Sequence, residues 1–324
     1  MTNYNRIMQV AHAVPEKIVT NDDLAKVVDT SDEWIFSRTG IKQRRIAQTE
    51  NTSDLCIKVA QDLLAKSQVS AEQLDFVIVA TMTPDYQSPS VACQVQGAIG
   101  AVNAFAFDLS AACAGFVYAL STADKLLKAK TNQSYGMVIG GEVLSRVIDW
   151  QDRSTCVLFG DAAAGVLLTN QSTYGIIRDQ LLADGTRSNS LTSGGNLQNS
   201  PFILSKDDSQ RCLRMNGRDI FDFATRDVAK SLSEFVGNDL EDIDYFLLHQ
   251  ANARILDKMS KKLHVDRERF LQNMDRYGNT SAASIPLLLS EKVADQTLSL
   301  EGKQKVVLSG FGGGLAYGHL LLTL

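Results

Sequence analysis

The chain has 324 residues, 44% of them hydrophobic and 21% charged, with a formal net charge of −5. This length allows two domains, or one large two-part domain, with an ample core, and the acidic balance disfavours a wholesale nucleic-acid binder. No stretch approaches the ~18 apolar residues of a membrane span, and Met1–Val14 carries no apolar run behind basic residues of the kind that makes a secretory signal, so the expected location is the cytoplasm.

In chain order, residues 53–66 place Leu55, Val59, Leu63 and Leu64 on one face, the pattern of an amphipathic helix. Leu74 to Val79 reads as a short strand whose apolar residues fall on both faces, as in a sheet covered by helices. Ala104 to Leu109 reads as a strand that turns through Ser110-Ala111-Ala112-Cys113-Ala114-Gly115 into an Ala-rich apolar helix over Phe116 to Leu127, expected to be buried. Met137 to Gly141 is a further strand. Arg226 to Phe235 reads as a helix, Ile243 to Leu248 as a strand, and Val306 to Gly310 as the last apolar strand. Three of these blocks repeat at a constant offset of 169 residues: 74–79 on 243–248, 109–113 on 278–282, and 137–141 on 306–310. A repeat of that kind predicts two similar halves, roughly 1–170 and 171–324. The expected architecture is α/β, with two related sheets and helices between and outside them.

The five cysteines (Cys56, Cys93, Cys113, Cys156, Cys212) form no CxxC pair, as expected of reduced thiols, and the four histidines (His12, His249, His264, His319) lack metal-ligand spacing. Cys113 stands apart because it sits at a strand-to-helix turn. Orphan N–H groups and the helix dipole there favour a thiolate, so a lowered pKa is expected. Read alone, Cys113 also fits a buried small hydrophobe. His249 follows a strand directly, where α/β folds place ligand chemistry, and it fits a core-edge histidine equally. Asn279 suits a turn or an N-cap, but the 169-residue repeat sets it opposite Ser110, three residues before the slot of Cys113. Cys, His and Asn brought to a shared centre suit nucleophilic acyl chemistry. Ser309-Gly310-Phe311-Gly312-Gly313-Gly314 lacks the GxGxxG spacing of a dinucleotide loop and reads either as a flexible turn or as a loop offering N–H groups to an oxyanion. Arg254, Lys258, Lys261 and Lys262 share one helix face, either solvated or a docking site for an acidic partner.

Several phrases in combination resemble the β-ketoacyl-acyl-carrier-protein synthase III family: Thr30-Ser31-Asp32-Glu33-Trp34-Ile35 with Arg38-Thr39-Gly40-Ile41, Ala111-Ala112-Cys113-Ala114-Gly115-Phe116, Phe159-Gly160-Asp161, His249-Gln250-Ala251-Asn252, Gly278 to Ser284, and Phe311 to Gly314. The likeness runs from near Val14 to the C-terminus. It implies a thiolase-like five-layered αβαβα fold built from two duplicated halves, and a homodimer. It implies an acyl-cysteine at Cys113 formed from acyl-CoA, then decarboxylation of malonyl-acyl-carrier protein and condensation to a 3-oxoacyl-carrier protein, with no metal or redox cofactor. By the same resemblance His249 and Asn279 would hold the malonyl thioester oxygen, and the N–H groups of Cys113 and Gly313 the oxyanion on the acyl-enzyme, while Phe311 keeps the site dry. Trp34 would stack on the CoA adenine with Arg38 and Arg153 near the nucleotide. Thr30, Gly217, Phe221, Ala251 and Asn252 would line the pantetheine channel, and Arg254, Lys261 and Lys262 would meet the carrier protein. Two positions depart from some relatives: Asp222 replaces a basic residue of the docking patch, and Ser88 replaces a Phe that reaches across the dimer into the primer pocket.

Other enzymes share parts of this pattern. Chalcone-synthase-like enzymes also use Cys, His and Asn, elongating synthases want a second His where Asn279 stands, and a hydroxymethylglutaryl-CoA-synthase-like enzyme wants a catalytic Glu, for which Glu142 is the candidate. Papain-like proteases show Cys, His and Asn in this order, but their local signature is absent. A non-catalytic acyl-binding or scaffold protein is the remaining alternative.

Overall fold

A computed structural model describes residues 4–194 and 212–324. Nine strands make the two main sheets: β1 (Tyr4–Ala13), β2 (Leu74–Ala80), β3 (Phe105–Leu109), β4 (Tyr135–Glu142), β5 (Ala162–Ser172), β6 (Ile176–Ala183), β7 (Tyr245–Leu248), β8 (Lys305–Gly312) and β9 (Ala316–Thr323). The first sheet has the order β1-β5-β4-β2-β3 and the second β7-β8-β9-β6. Read from the other end, the second sheet repeats the first: β6, β9, β8 and β7 take the places of β1, β5, β4 and β2. In both sheets the two strands of the repeat pair in parallel, β2 with β4 and β7 with β8; β3 also pairs in parallel with β2, and the remaining neighbours run antiparallel. The counterpart of β3 is reduced to a single parallel bridge, Phe246 to Phe270.

The helices that position the site are α1 (Asp32–Thr39), α2 (Thr52–Ser67), α3 (Val91–Ala98), α4 (Gly115–Lys128), α5 (Gly217–Asp222), α6 (Ala229–Val236), α7 (Ala253–Leu263), α8 (Met274–Tyr277) and α9 (Ser284–Ala294). Helices α4 and α9 form the central layer. Phe116, Val117, Leu120 and Leu127 of α4 and Ile285, Leu288 and Leu289 of α9 join one buried cluster with strand residues of both sheets. Helices α2 and α3 cover the outer face of the first sheet, and α6 and α7 that of the second. The five layers are therefore helix, sheet, helix, sheet, helix, as the resemblance implies.

Helix α2 runs one residue beyond residues 53–66 at each end; Asn51 and Asp54 make a reciprocal capping box at its start, and Gln68, with a left-handed φ, closes its end by donating its N–H to Leu64 O. The helix expected at 226–235 begins earlier. α5 continues through a wide π-type turn over Phe223–Val228 into α6, so 226–228 belong to that turn. The 169-residue repeat is visible in backbone detail: Ala112 and Ser281, one offset apart, hold left-handed φ angles of 46° and 48°. Each opens a 3₁₀ turn, Ala112–Ala114 and Ser281–Ala283, that leads into a central helix.

Candidate active site

Cys113 lies in the 3₁₀ turn between β3 and α4, and is 5% exposed. The glycine run at the end of β8 acts by close approach: a Cβ on Gly312 would stand 2.8 Å from the Cβ and 3.1 Å from the Sγ of Cys113. Gly313, one residue on, sits beside Ala112, on a neighbouring cavity with Ser110 and Ala111. The expected lowering of the Cys113 pKa is not found. Burial pushes the thiol up to about 12, and the hydrogen bond from Ser281 opposes this only in part. Desolvation outweighs the helix terminus here, so the resting group is the thiol.

His249 follows β7 and is 3% exposed. Its backbone N–H donates to Ser309 O on β8 at 2.9 Å, its Nδ1 meets the Ser284 hydroxyl at 2.7 Å, and its ring packs edge-on to Phe311 with centroids 5.3 Å apart. Burial lowers its pKa to about 3, so the imidazole is neutral. The Ser284 hydroxyl accepts the Gln250 N–H at 3.4 Å, and in the tautomer where it gives its own hydrogen to Nδ1 the ring proton lies on Nε2.

Asn279 is 7% exposed and is fixed by its backbone: its N–H donates to Leu158 O and its carbonyl accepts from Gly160 N–H. The preceding Gly278 has φ +65°, and a Cβ there would meet Leu158 O at 2.8 Å, so this approach needs glycine. The Oδ1 of Asn279 accepts the Ser281 N–H at 2.9 Å. The group left to face the cavity is the NH₂.

These side chains meet on one solvent-open pocket, about 580 Å³ of empty space with its mouth included, whose wall includes Cys113, His249, Asn279, Phe311 and Gly312. Gly217, Phe221, Ala251 and Asn252 line the same cavity. Asn252 ties it to α1 by donating from Nδ2 to Arg38 O at 2.9 Å. There two guanidinium groups lie over the Trp34 ring, Arg38 at 4.6 Å and Arg153 at 4.7 Å from its centroid. The Thr30 hydroxyl is buried without a partner among the described residues. Arg254, Lys261 and Lys262 are exposed on α7. Arg254 and Lys258 lie over the Phe221 ring, and Lys262 reaches the carbonyls of Thr225 and Arg226. Ser88 is exposed and does not line this cavity within the single chain. Glu142 is fully buried and also lies off the cavity wall, so it does not occupy the place of a catalytic Glu there.

Sequence reasoning missed Ser284, and it missed the apolar wall formed by Leu158, Phe159, Leu191, Met215, Ile220 and Ile255. Phe159 stood in a quoted motif, and its parallel bridge to Asn279 explains why that motif travels with the Asn279 turn. Among the described residues no group of three or more His, Cys, Asp or Glu side chains is gathered to hold a metal ion, and no helix is long and apolar enough to cross a membrane.

The comparisons agree with this geometry. Residues 107–185 match the family model described as 3-oxoacyl-[acyl-carrier-protein (ACP)] synthase III, and residues 234–324 match its C-terminal model. The chain is 57% identical to the β-ketoacyl-[acyl-carrier-protein] synthase III of Enterococcus faecalis over 324 residues, covering 100% of both. It is 56% identical to that of Streptococcus mutans, covering 99% of both. The crystal structure of the 3-oxoacyl-[acyl-carrier-protein] synthase III from Aquifex aeolicus matches with a TM-score of 0.89 at 38% identity, over 99% of this chain and 100% of that one. A Xanthomonas campestris structure at 18% identity and a TM-score of 0.85 shares the fold alone. With a Cys, a neutral His and an Asn amide on one buried wall and full-length relatives of one name, the chain belongs to the β-ketoacyl-acyl-carrier-protein synthase III family, condensing acyltransferases of fatty-acid synthesis on the thiolase-like fold.

Proposed function

We propose that the chain condenses an acyl-CoA primer with malonyl-acyl-carrier protein, releasing CoA and CO₂ and giving a 3-oxoacyl-carrier protein. The half over 1–170 supplies Cys113 and the half over 171–324 supplies His249 and Asn279. The observation that carries this reading is the convergence of these three residues on one largely apolar cavity. Cys113 takes the acyl group as a thioester, with its own N–H and that of Gly313 serving the tetrahedral oxyanion. Malonyl-carrier protein then enters. The Nε2–H of His249 and the NH₂ of Asn279 donate to its thioester oxygen, where charge develops as CO₂ leaves. Phe311 shields that charge from water. The resulting enolate attacks the acyl-cysteine. The reaction needs no metal or redox cofactor, acyl-CoA being a substrate, and its place is the cytoplasm.

The test is incubation with labelled acetyl-CoA followed by malonyl-carrier protein. Label on Cys113, then CO₂ release and transfer of label to the carrier, is expected; an unlabelled Cys113 with no malonyl-dependent product refutes the reading. Trp34, with Arg38 and Arg153 beside its ring, stacks on the CoA adenine, while Thr30, Gly217, Phe221, Ala251 and Asn252 line the pantetheine path. Trp34→Ala is expected to raise KM for acyl-CoA about tenfold with little change in kcat, checked by steady-state kinetics at fixed malonyl-carrier.

We also propose a homodimer through the β3 edge. Phe105 is 48% exposed on that strand, and the neighbouring Tyr86 and Val102 are exposed as well. Asp108 of β3 accepts the N–H groups of Val91 and Ala92, which ties the 84–90 loop, with Ser88, to the same edge. In such a dimer Ser88 reaches the partner's primer pocket, and its small size admits primers longer or more branched than acetyl. Turnover of isobutyryl- or hexanoyl-CoA comparable to that of acetyl-CoA is expected; strict acetyl preference contradicts it. Arg254, Lys261 and Lys262 form the carrier-docking face, with Asp222 at its border.

A further inference from the structure

Helix α9 stands behind both side chains that face the malonyl thioester. It opens on Ser284, which meets His249 Nδ1 at 2.7 Å, and two turns along the same face it carries Glu291. The Glu291 carboxylate gathers three donors. Asn273 Nδ2 at 2.8 Å and Arg276 at 2.9 Å reach Oε2, and the Tyr277 hydroxyl reaches Oε1 at 2.6 Å. Asn273 is the N-cap of α8, and Arg276 and Tyr277 are its last two residues, so one side chain holds both ends of a four-residue helix. The chain then passes through Gly278 to Asn279.

A single helical turn does not persist by itself, because fixing its dihedrals outweighs the one hydrogen bond it gains. The N-cap of α8 gives no help. The Asn273 side chain makes no capping hydrogen bond to the helix and donates to Glu291 instead. Two of the three donors are buried, Asn273 at 2% and Tyr277 at 8% exposure, whereas the Arg276 ion pair is half exposed and contributes little. Burial and the Glu291 carboxylate push the Tyr277 pKa up to about 12, so its hydroxyl stays a donor. Asn273 also joins this cluster to the end of β7. Its backbone N–H donates to Gln250 Oε1 at 3.0 Å, and Gln250 Nε2 donates to Leu248 O at 2.8 Å and to Leu271 O at 3.3 Å. The internal repeat makes the arrangement one-sided. At the 169-residue offset Ser284 falls on Gly115, Asn273 on Ala104, and Glu291 on Thr122, whose hydroxyl turns back to Tyr118 O of its own helix. The carboxylate and its donors belong to the half that supplies His249 and Asn279.

We propose that Glu291 is a positioning residue for decarboxylation: by holding α8 through Asn273 and Tyr277, it sets the Asn279 amide at the malonyl thioester oxygen, in register with His249. This inference rests on the donor roles proposed above for His249 and Asn279. Glu291 lies off the wall of the substrate cavity and touches no reacting group. It acts through the backbone. The Gly278 N–H donates to Met274 O at 2.8 Å, so a displacement of α8 passes directly to the Asn279 turn. A donor moved by about 1 Å loses up to about 10²-fold of its effect on rate. Cys113 stands in the other half, at the turn into α4, and its acylation does not draw on this cluster.

The experiment measures two stages on the full chain: CO₂ release from malonyl-carrier protein without primer, and single-turnover acetylation of Cys113 by acetyl-CoA, followed by intact-protein mass. Glu291→Gln keeps the size of the side chain and replaces one acceptor oxygen by an NH₂. It is expected to slow CO₂ release about 10- to 100-fold and to leave acetylation within about twofold of the wild type. The deciding readout is a double-mutant cycle. In an Asn279→Ala background, Glu291→Gln is expected to slow CO₂ release by less than about twofold, because the amide that it sets is gone. Tyr277→Phe leaves the carboxylate its other two donors and is expected to show the same pattern at smaller size; it decides the matter if Glu291→Gln does not fold. Unchanged CO₂ release, an equal loss of both stages, or an undiminished loss in the Asn279→Ala background overturns the proposal. If Asn279→Ala alone leaves CO₂ release at the wild-type rate, the failure belongs to the proposed function instead.

Discussion

Cys113→Ala is expected to abolish acyl transfer from acyl-CoA, with condensation falling by about 10⁵-fold or more, the scale of losing a covalent nucleophile. Nothing else in the cavity can replace it. The groups beside it are the amide of Asn279, the neutral ring of His249 and apolar side chains. Of the four remaining thiols, Cys56 and Cys156 are buried outside the cavity wall, Cys93 on α3 is exposed, and Cys212 is half-buried on a separate cavity with Asp149 and Asp152. Intact mass after exposure to acetyl-CoA checks the expectation: no acetyl adduct on the variant, one on the wild type. An adduct of equal extent on the variant, mapped to another cysteine, overturns the assignment. The substitution is mild for the fold, since the Cβ that packs against Gly312 is kept and only the sulfur is lost. A melting temperature within a few degrees of the wild type is therefore expected.

Much of this site was legible in the sequence because the repeat imposes small residues at fixed places. The turns that open at Ala112 and Ser281 share a left-handed φ, and close packing at the centre leaves room only for Ala, Ser and Gly around them. That is why a constant offset could be read from 109–113 and 278–282 before any coordinates. What the sequence could not disclose was distance in space. Ser284 lies 35 residues from His249, and Ser281 lies 139 from Glu142, yet each pair is hydrogen-bonded. The electrostatic sign at Cys113 was misjudged for a related reason. A strand-to-helix turn is visible in a sequence and argues for a lowered pKa, but the burial that reverses it comes from Gly312 and the glycine run nearly 200 residues away. The longer helix over 217–236 was also hidden, since a π-type turn breaks the 3.6-residue period by which its two segments would be joined.

His249→Ala and Asn279→Ala are expected to separate the two stages of the reaction. Each removes one donor to the malonyl thioester oxygen, and a single donor of this kind is worth about 10²–10³ in rate. Decarboxylation of malonyl-carrier protein should fall by about that factor in either variant, while acetylation of Cys113 falls far less, because the oxyanion of that stage is served by the backbone N–H groups of Cys113 and Gly313. Equal loss of both stages contradicts the division. The pH dependence sharpens the test. Burial lowers the His249 pKa from 6.5 to about 3, and Ser284 holds Nδ1, so the ring stays a neutral Nε2–H donor throughout the usual assay range. Decarboxylation measured alone, as CO₂ release without primer, is then expected to show no histidine inflection near pH 6.5. Stability follows the opposite logic with a definite sign. The unfolded chain binds a proton at His249 below pH 6.5 and the folded chain does not until about pH 3, so the neutral burial of His249 costs stability as the pH falls from 6.5 towards 3. His319 has the same depressed pKa from burial and adds to that loss. His249→Ala should therefore weaken the fall in melting temperature between pH 6.5 and 4.5; an unchanged slope would mean that the ring is already protonated in the folded enzyme, and with it the neutral-donor assignment would fall.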